Sequence, residues 1–190
     1  MKKNICVFCS SSDKVDKVYF QSAADLGRRI GKEQDGLVYG GGNIGLMGEI
    51  ARNASEFGAE VIGIIPQKIH DFGIGWEDAE EYIVTSDMRE RKALLSEKAD
   101  AFIALPGGFG TLEEILEVLT LKQLGYHNKP IIFLNTNHFY DKLMDYFEVL
   151  YEQYFAKQGY RNLYYLAPDV NAIYEYLMRY KEEKIDAKWH

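Results

Sequence analysis

The chain has 190 residues, of which 47% are hydrophobic, so it can bury a full core and is expected to form one domain over residues 1–190. Its formal net charge of −7 argues against a nucleic acid polymer as partner and leaves room for a small anionic ligand. The apolar start of the chain is too short for a signal peptide or a membrane span, which predicts a cytoplasmic protein with no membrane partner.

Short β-rich runs alternate with helical stretches along the chain. Strands are predicted at residues 5–9, 37–39, 61–65, 82–84, 101–105 and 131–134. Between them, apolar side chains recur at helical spacing, for example at Tyr19, Ala23, Leu26 and Ile30. This alternation predicts an α/β fold with a doubly wound parallel sheet and helices on both faces.

The first predicted strand contains both cysteines of the chain, Cys6 and Cys9, as a Cys-x-x-Cys pair. Such a pair suggests a redox or zinc site. Residues three apart on a strand point to opposite faces, however, and the four histidines are scattered without metal spacing. The pattern therefore favours buried strand cysteines and no metal site.

A glycine-rich loop follows the second predicted strand and opens a helix. Gly40, Gly42 and Gly45 match the dinucleotide fingerprint GxGxxG, which taken alone is a weak signal. The next strand ends in Ile64-Ile65-Pro66, without the acidic residue that a NAD site carries about 20 residues on. The loop either contacts a ligand or forms a turn for close helix–sheet packing.

Two further segments lie between the third and fifth predicted strands. Residues 67–78 form the longest irregular stretch and are a candidate lid over a site. Residues 88–92, with the sequence Met-Arg-Glu-Arg-Lys, precede an apolar helix. From its pattern alone, this charged cluster is typical of a solvated helix start.

The most informative segment is 106–114, which reads PGGFGTLEE and follows the fifth predicted strand. Glycines let backbone N–H groups approach an anion closely, and the start of a helix favours phosphate, with the Thr111 hydroxyl as a further donor. Thr111 to Glu114 also has the spacing of a capping box, in which Glu114 bonds to the cap amide. Spacing alone favours that capping role, and it favours a solvated charge at Glu113.

Together, the glycines of residues 40–48, the cluster 88–92 and the motif 106–114 resemble the LOG (Lonely Guy) family. Its members are cytokinin riboside 5′-monophosphate phosphoribohydrolases, long mislabelled as lysine decarboxylases. The resemblance runs from residue 5 to about residue 134. It implies a single-domain, Rossmann-like homodimer that hydrolyses the N-glycosidic bond of a nucleoside 5′-monophosphate, with no redox cofactor and no metal. The products are free base and ribose 5-phosphate.

The resemblance also implies roles for individual residues. The family's catalytic arginine and glutamate fall on Arg91 and Glu114. On this interpretation Arg91 positions Glu114 or contacts the substrate, while residues 108–111 and Lys92 hold the 5′-phosphate. The substrate-binding positions are Ser10, Gly42, Met88, Lys92, Gly107, Gly108, Gly110, Thr111, Glu113 and Thr120.

Two positions depart from the family pattern. Arg89 stands where many relatives have histidine, and the segment after Pro66 lacks a glutamate that relatives often carry. Both departures bear on base preference.

Three alternative functions compete with this one. A general purine or pyrimidine monophosphate nucleosidase, with AMP as substrate, has the same chemistry and cannot be separated by sequence. A non-catalytic nucleotide or molybdenum-cofactor carrier has the same fold, but the presence of both Arg91 and Glu114 argues against it. Amino-acid decarboxylation requires a lysine bound to pyridoxal phosphate, and no lysine context here indicates one.

Overall fold

Seven parallel strands form one sheet in the computed structural model of the chain, which describes residues 2–182. The strands are β1 (Asn4–Phe8), β2 (Gly36–Tyr39), β3 (Val61–Pro66), β4 (Glu81–Thr85), β5 (Ala101–Ala104), β6 (Ile131–Leu134) and β7 (Tyr165–Ala167). Their spatial order is β4-β3-β2-β1-β5-β6-β7. The chain winds outward from β1 on one side and then returns to add β5 on the other. The predicted doubly wound α/β sheet is confirmed.

Helices cover both faces of this sheet. They are α1 (Lys17–Lys32), α2 (Gly45–Glu56), α3 (Gln67–His70), α4 (Met88–Lys98), α5 (Phe109–Gln123), α6 (Asp141–Glu152) and α7 (Val170–Arg179). One hydrophobic cluster joins the sheet to α1, α2 and α7, and a second joins it to α4, α5 and α6. Within residues 2–182, none of the helices combines the length and apolar character that a bilayer crossing requires.

The strands form where the sequence has unbroken apolar runs, as expected for parallel strands covered on both faces. In β1, residues Ile5 to Phe8 are all buried. Cys9 belongs to the first cluster and Cys6 to the second, and both are free thiols, as strand geometry predicts. The six predicted strands match β1 to β6 within one residue at either end. Strand β7 was not predicted, because three residues are too few to show a period.

The winding direction reverses between β1 and β5. In an open α/β sheet, ligands bind beyond the carboxyl ends of the strands at such a switch point. The segments that leave β1, β2 and β5 at this edge are the serines that begin at Ser10, the first glycine loop, and residues 106–114. The topology therefore brings the predicted motifs to one edge of the sheet.

Candidate active site

A buried ion pair joins α4 to α5 close to this edge. Arg91 Nη1 donates to Glu114 Oε1 over 2.6 Å, and the two side chains are only 9% and 10% exposed. Arg91 Nε also donates to the carbonyl oxygen of Ile64 over 3.0 Å, which fixes the orientation of the guanidinium. Burial raises the pKa of Glu114, and the positive charge of Arg91 opposes that rise. The charge pattern alone suggested a solvated helix start. Arg91 is not part of one, so that prediction is wrong for this residue.

The first glycine loop makes room for this pair. A Cβ at Gly40 would overlap the guanidinium of Arg91, so the close approach requires glycine there. Backbone contacts with residues 74 and 75 hold the same loop in place. Asn43 N donates to Ile74 O over 2.7 Å, and Gly42 pairs with Gly75 in an antiparallel bridge. The predicted lid segment thus packs against the first glycine loop in this structure.

The helix that follows the first loop has its first two amides already occupied. Gly45 N donates to Asp13 Oδ1 over 2.8 Å, and Leu46 N donates to the carbonyl oxygen of Ser10 over 2.9 Å. The Asp13 carboxylate lies where a dinucleotide pyrophosphate would bind at a helix start. The structure favours the packing role for this GxGxxG sequence, in support of the Arg91 site.

The second glycine loop departs from the predicted capping box. Helix α5 begins at Phe109 with Gly108 as its N-cap, so Thr111 is the third residue of the helix and not its cap. Glu114 bonds to Arg91 and not to a cap amide, so the capping prediction is wrong. The Thr111 side chain packs back against the loop, where a Cβ at Gly107 would overlap its hydroxyl.

The start of α5 is consequently open. Among the described residues, the amides of Phe109, Gly110 and Thr111 donate to no protein acceptor. A Cβ at Gly108 or Gly110 would meet no atom within 4 Å, so protein packing does not demand glycine at either position. Unlike this start, those of α1, α4 and α7 are each capped by an aspartate side chain. Open amides at a positive helix end can bind an anion.

A second ionic contact between α4 and α5 lies beside the first. Lys92 Nζ is 2.5 Å from Glu113 Oε1 and 2.5 Å from Glu117 Oε2. Hydrogen bonds to these two carboxylates raise the pKa of Lys92. Arg91 and Lys92, which are consecutive in α4, thus bind Glu114 and Glu113, which are consecutive in α5. The positive charge of Lys92 has two negatively charged partners.

A cavity of about 760 Å³ opens between α4 and α5 and reaches Glu114. This volume lies within the usual range of small-molecule sites. Its wall combines polar groups with apolar ones, among them Arg89, Lys92, Glu117, Val118, Leu121 and Tyr126. A smaller cavity of about 260 Å³ lies against Ser10, Gly107 and Gly108.

Sequence comparisons identify relatives of this chain. The family described as "Possible lysine decarboxylase" matches residues 47–177. The cytokinin riboside 5′-monophosphate phosphoribohydrolase LOG5 of Arabidopsis thaliana is 41% identical over 179 residues, which cover 94% of this chain and 78% of the relative. The chain belongs to the LOG family. A probable member from Oryza sativa subsp. japonica, LOGL2, is 40% identical over 188 residues, covering 98% of this chain and 77% of the relative.

Solved structures share the fold of this LOG-family chain. The molybdenum cofactor binding protein of Rippkaea orientalis has a TM-score of 0.69 at 25% identity, with 94% of this chain and 96% of that chain covered. The Moco carrier protein of Chlamydomonas reinhardtii has a TM-score of 0.72 at 23% identity, with 94% and 97% covered. These likenesses identify the Rossmann-like architecture and not the activity.

Most of the residues predicted from the LOG family lie at the carboxyl edge of the sheet. Met88 Sδ is 3.9 Å from Arg91 Nη1, and the others are grouped on the loops and helix starts described above. Thr120 stands apart, because it is exposed farther along α5, does not line the large cavity, and donates its hydroxyl to Leu116 O over 2.8 Å. The roles of these residues stay predictions.

Sequence reasoning missed two residues that shape the site. Glu117 was detectable, since it lies four residues after Glu113 and so on the same side of α5. Asp13 had no such signal, because its partner Gly45 is 32 residues away. Within residues 2–182, no three His, Cys, Asp or Glu side chains are grouped as metal ligands.

Proposed function

We propose that this chain hydrolyses the N-glycosidic bond of a nucleoside 5′-monophosphate, giving free base and ribose 5-phosphate. The observation that carries the proposal is the buried Arg91–Glu114 pair beside the open start of α5. The relatives of about 40% identity are named for this reaction on cytokinin riboside 5′-monophosphates. N6-modified adenosine monophosphates and AMP are therefore the proposed substrates.

The reaction calls for a carboxylate of this kind. The bond from C1′ to the base nitrogen breaks with its electron pair leaving on the base, and positive charge develops on the ribose ring. An ionised Glu114 stabilises that charge, and its burial strengthens the interaction. The oxygen of a water molecule then bonds to C1′, one of its protons is released and the base gains one. Arg91 acts by holding Glu114 in place and favouring its ionised form.

Binding of the 5′-phosphate is assigned to the start of α5. The open amides of Phe109, Gly110 and Thr111 supply donors, and the helix dipole favours the negative charge. Phosphate binding then aligns the scissile bond with Glu114. Nucleosides that lack the phosphate are expected to be poor substrates.

We also propose that the protein works as a homodimer. Leu112, Leu116 and Leu119 are only partly buried along α5, while Leu124 and Tyr126 beyond them are exposed. A second copy covering this face would remove apolar surface from water. Light scattering coupled to size exclusion tests this directly, and a monomer at micromolar concentration would contradict it. The expected cytoplasmic location stays a prediction.

The function is tested by chromatography of purified protein incubated with AMP, isopentenyladenosine monophosphate, CMP and GMP. We expect release of free base from at least one adenine nucleotide, and much slower release from adenosine. Equal rates on adenosine and AMP would overturn the phosphate assignment. No release from any nucleotide, with nucleotide still bound, would instead support a carrier, the function named for the structural neighbours.

A further inference from the structure

Residues 74–76, the strap, pair with the first glycine loop outside the main sheet. Trp76 N donates to Gly41 O over 2.9 Å, together with the bond from Asn43 and the bridge at Gly42. The strap therefore engages three successive residues of the loop through backbone groups. Such pairing fixes the path of the loop backbone.

Gly75 lets the strap lie directly on the side chain of Tyr82 in β4. A Cβ at Gly75 would lie 1.9 Å from the Tyr82 hydroxyl and 2.9 Å from Cζ, so any larger residue would displace the strap or the ring. The Tyr82 hydroxyl is also 2.9 Å from His70 Nδ1 in α3. Trp76, the next residue of the strap, packs against the first hydrophobic cluster. The strap is thus seated on a side chain of the sheet and on the core.

The loop that the strap holds is the one that lies against Arg91. A Cβ at Gly40 would lie 2.3 Å from Arg91 Nη2, so the loop backbone itself borders the guanidinium. A Cβ at Gly41 would lie 3.3 Å from backbone atoms of Ile64, whose carbonyl oxygen accepts from Arg91 Nε. A shift of this loop would therefore free the guanidinium to move away from Glu114.

We propose that the strap is a positioning element of the active site, with Gly75 and Tyr82 as its positioning residues. They act by holding the first glycine loop against Arg91, which in turn keeps Arg91 on Glu114. This inference rests on the proposed function. Precise placement matters because a displacement of about 1 Å in a catalytic group can lower a rate about a hundredfold.

The pH profile reports this role, because the main counter-charge of Glu114 depends on the strap. Burial raises the pKa of Glu114, and the charge of Arg91 is the largest effect that opposes the rise. The charges of Glu113 and Lys92 also act on it, more weakly. The two cysteine thiols near this pair stay neutral, because burial raises their pKa. Loosening Arg91 should raise the pKa of Glu114 further and move the acid limb of kcat/KM to higher pH.

The test compares Gly75→Ala with Gly159→Ala, in which the same added methyl group meets no atom within 4 Å. We expect Gly75→Ala to lower kcat for AMP by roughly tenfold to a hundredfold and to raise the acid limb by about 0.5 pH unit or more. Gly159→Ala should match wild type. Tyr82→Ala removes the overlapping ring, so Gly75→Ala should cost less than about threefold in kcat when added to that variant.

A second readout does not require activity. In NMR spectra of ¹⁵N-labelled protein, the Arg91 Nε–H signal, assigned by its loss in Arg91→Met, should exchange with water faster in Gly75→Ala than in wild type. If Gly75→Ala does not fold, Trp76→Ala, which removes the core contact of the strap, replaces it in both readouts.

The inference is overturned if the acid limb and the exchange of the Arg91 signal stay as in wild type, whatever happens to kcat. It is also overturned if Tyr82→Ala does not suppress the effect of Gly75→Ala. If wild type releases no base, the proposed function fails, and the Arg91 signal still tests the strap by the same comparison.

Discussion

Replacing Arg91 by methionine leaves the Glu114 carboxylate in a buried site without its counter-charge. At an effective dielectric constant of about 20, opposite charges about 4 Å apart attract by about 4 kcal/mol. Losing one member of a buried pair typically costs about 3–5 kcal/mol, and we expect a loss of that size here. Arg91→Met combined with Glu114→Leu should be more stable than Arg91→Met alone, because no buried charge then remains.

The loss in Arg91→Met should also depend on pH. Burial raises the pKa of Glu114 above its usual range, and removing Arg91 raises it further. A carboxyl whose pKa is raised by folding stabilises the folded state fully at low pH, and this contribution is lost as pH rises through the folded pKa. The deficit relative to wild type should therefore grow as pH rises through the raised pKa of Glu114 in the folded wild-type protein.

Urea unfolding followed by circular dichroism at pH 5 and pH 8 measures this deficit, with Arg179→Met as the matched control. The surface control should stay within about 0.5 kcal/mol of wild type. A loss of less than about 1 kcal/mol for Arg91→Met at pH 8, or a deficit that shrinks as pH rises, would refute the counter-charge role of Arg91.

Two further predictions concern neighbours of this pair. The Glu113 charge raises the pKa of Glu114, so Glu113→Gln should move the acid limb of the kcat/KM profile to lower pH. The Lys92 charge lowers that pKa, so Lys92→Gln should move the acid limb to higher pH. Shifts of both variants in the same direction would contradict this prediction. Asp13→Ala should lower the free energy of unfolding by about 1 kcal/mol, as loss of a helix cap does, while leaving kcat near wild type. Loss of kcat at unchanged stability would mean that Asp13 contacts substrate.

The sheet was predictable from sequence because its inner strands are apolar without interruption. The apolar runs at residues 5–9 and 101–105 predict strands buried on both faces, and the structure places β1 beside β5. Strand β7 lies at the sheet edge and has a partly buried sequence of three residues. This sequence is too short to show the alternation that predicts a strand.

The site was less predictable, because its key contact joins residues 23 apart on two helices. Spacing suggested a cap for Glu114 and a solvated start for Arg91, and only resemblance to the LOG family joined the two. The capping box failed because spacing does not say where a helix begins. Here Gly108 ends the extended segment and Phe109 already has helical geometry, which moves Thr111 inside α5.

Whether the Glu114 carboxylate drives glycosidic hydrolysis is tested most directly by comparing wild type with Glu114→Gln. The amide keeps the size of the side chain and an oxygen for Arg91 but removes the negative charge. We would measure base release from AMP by chromatography, and ribose 5-phosphate binding by calorimetry on both proteins. We predict a fall in kcat of at least about 100-fold with binding retained. A Glu114→Gln variant that binds ribose 5-phosphate and releases base at the wild-type rate would contradict the catalytic role of Glu114.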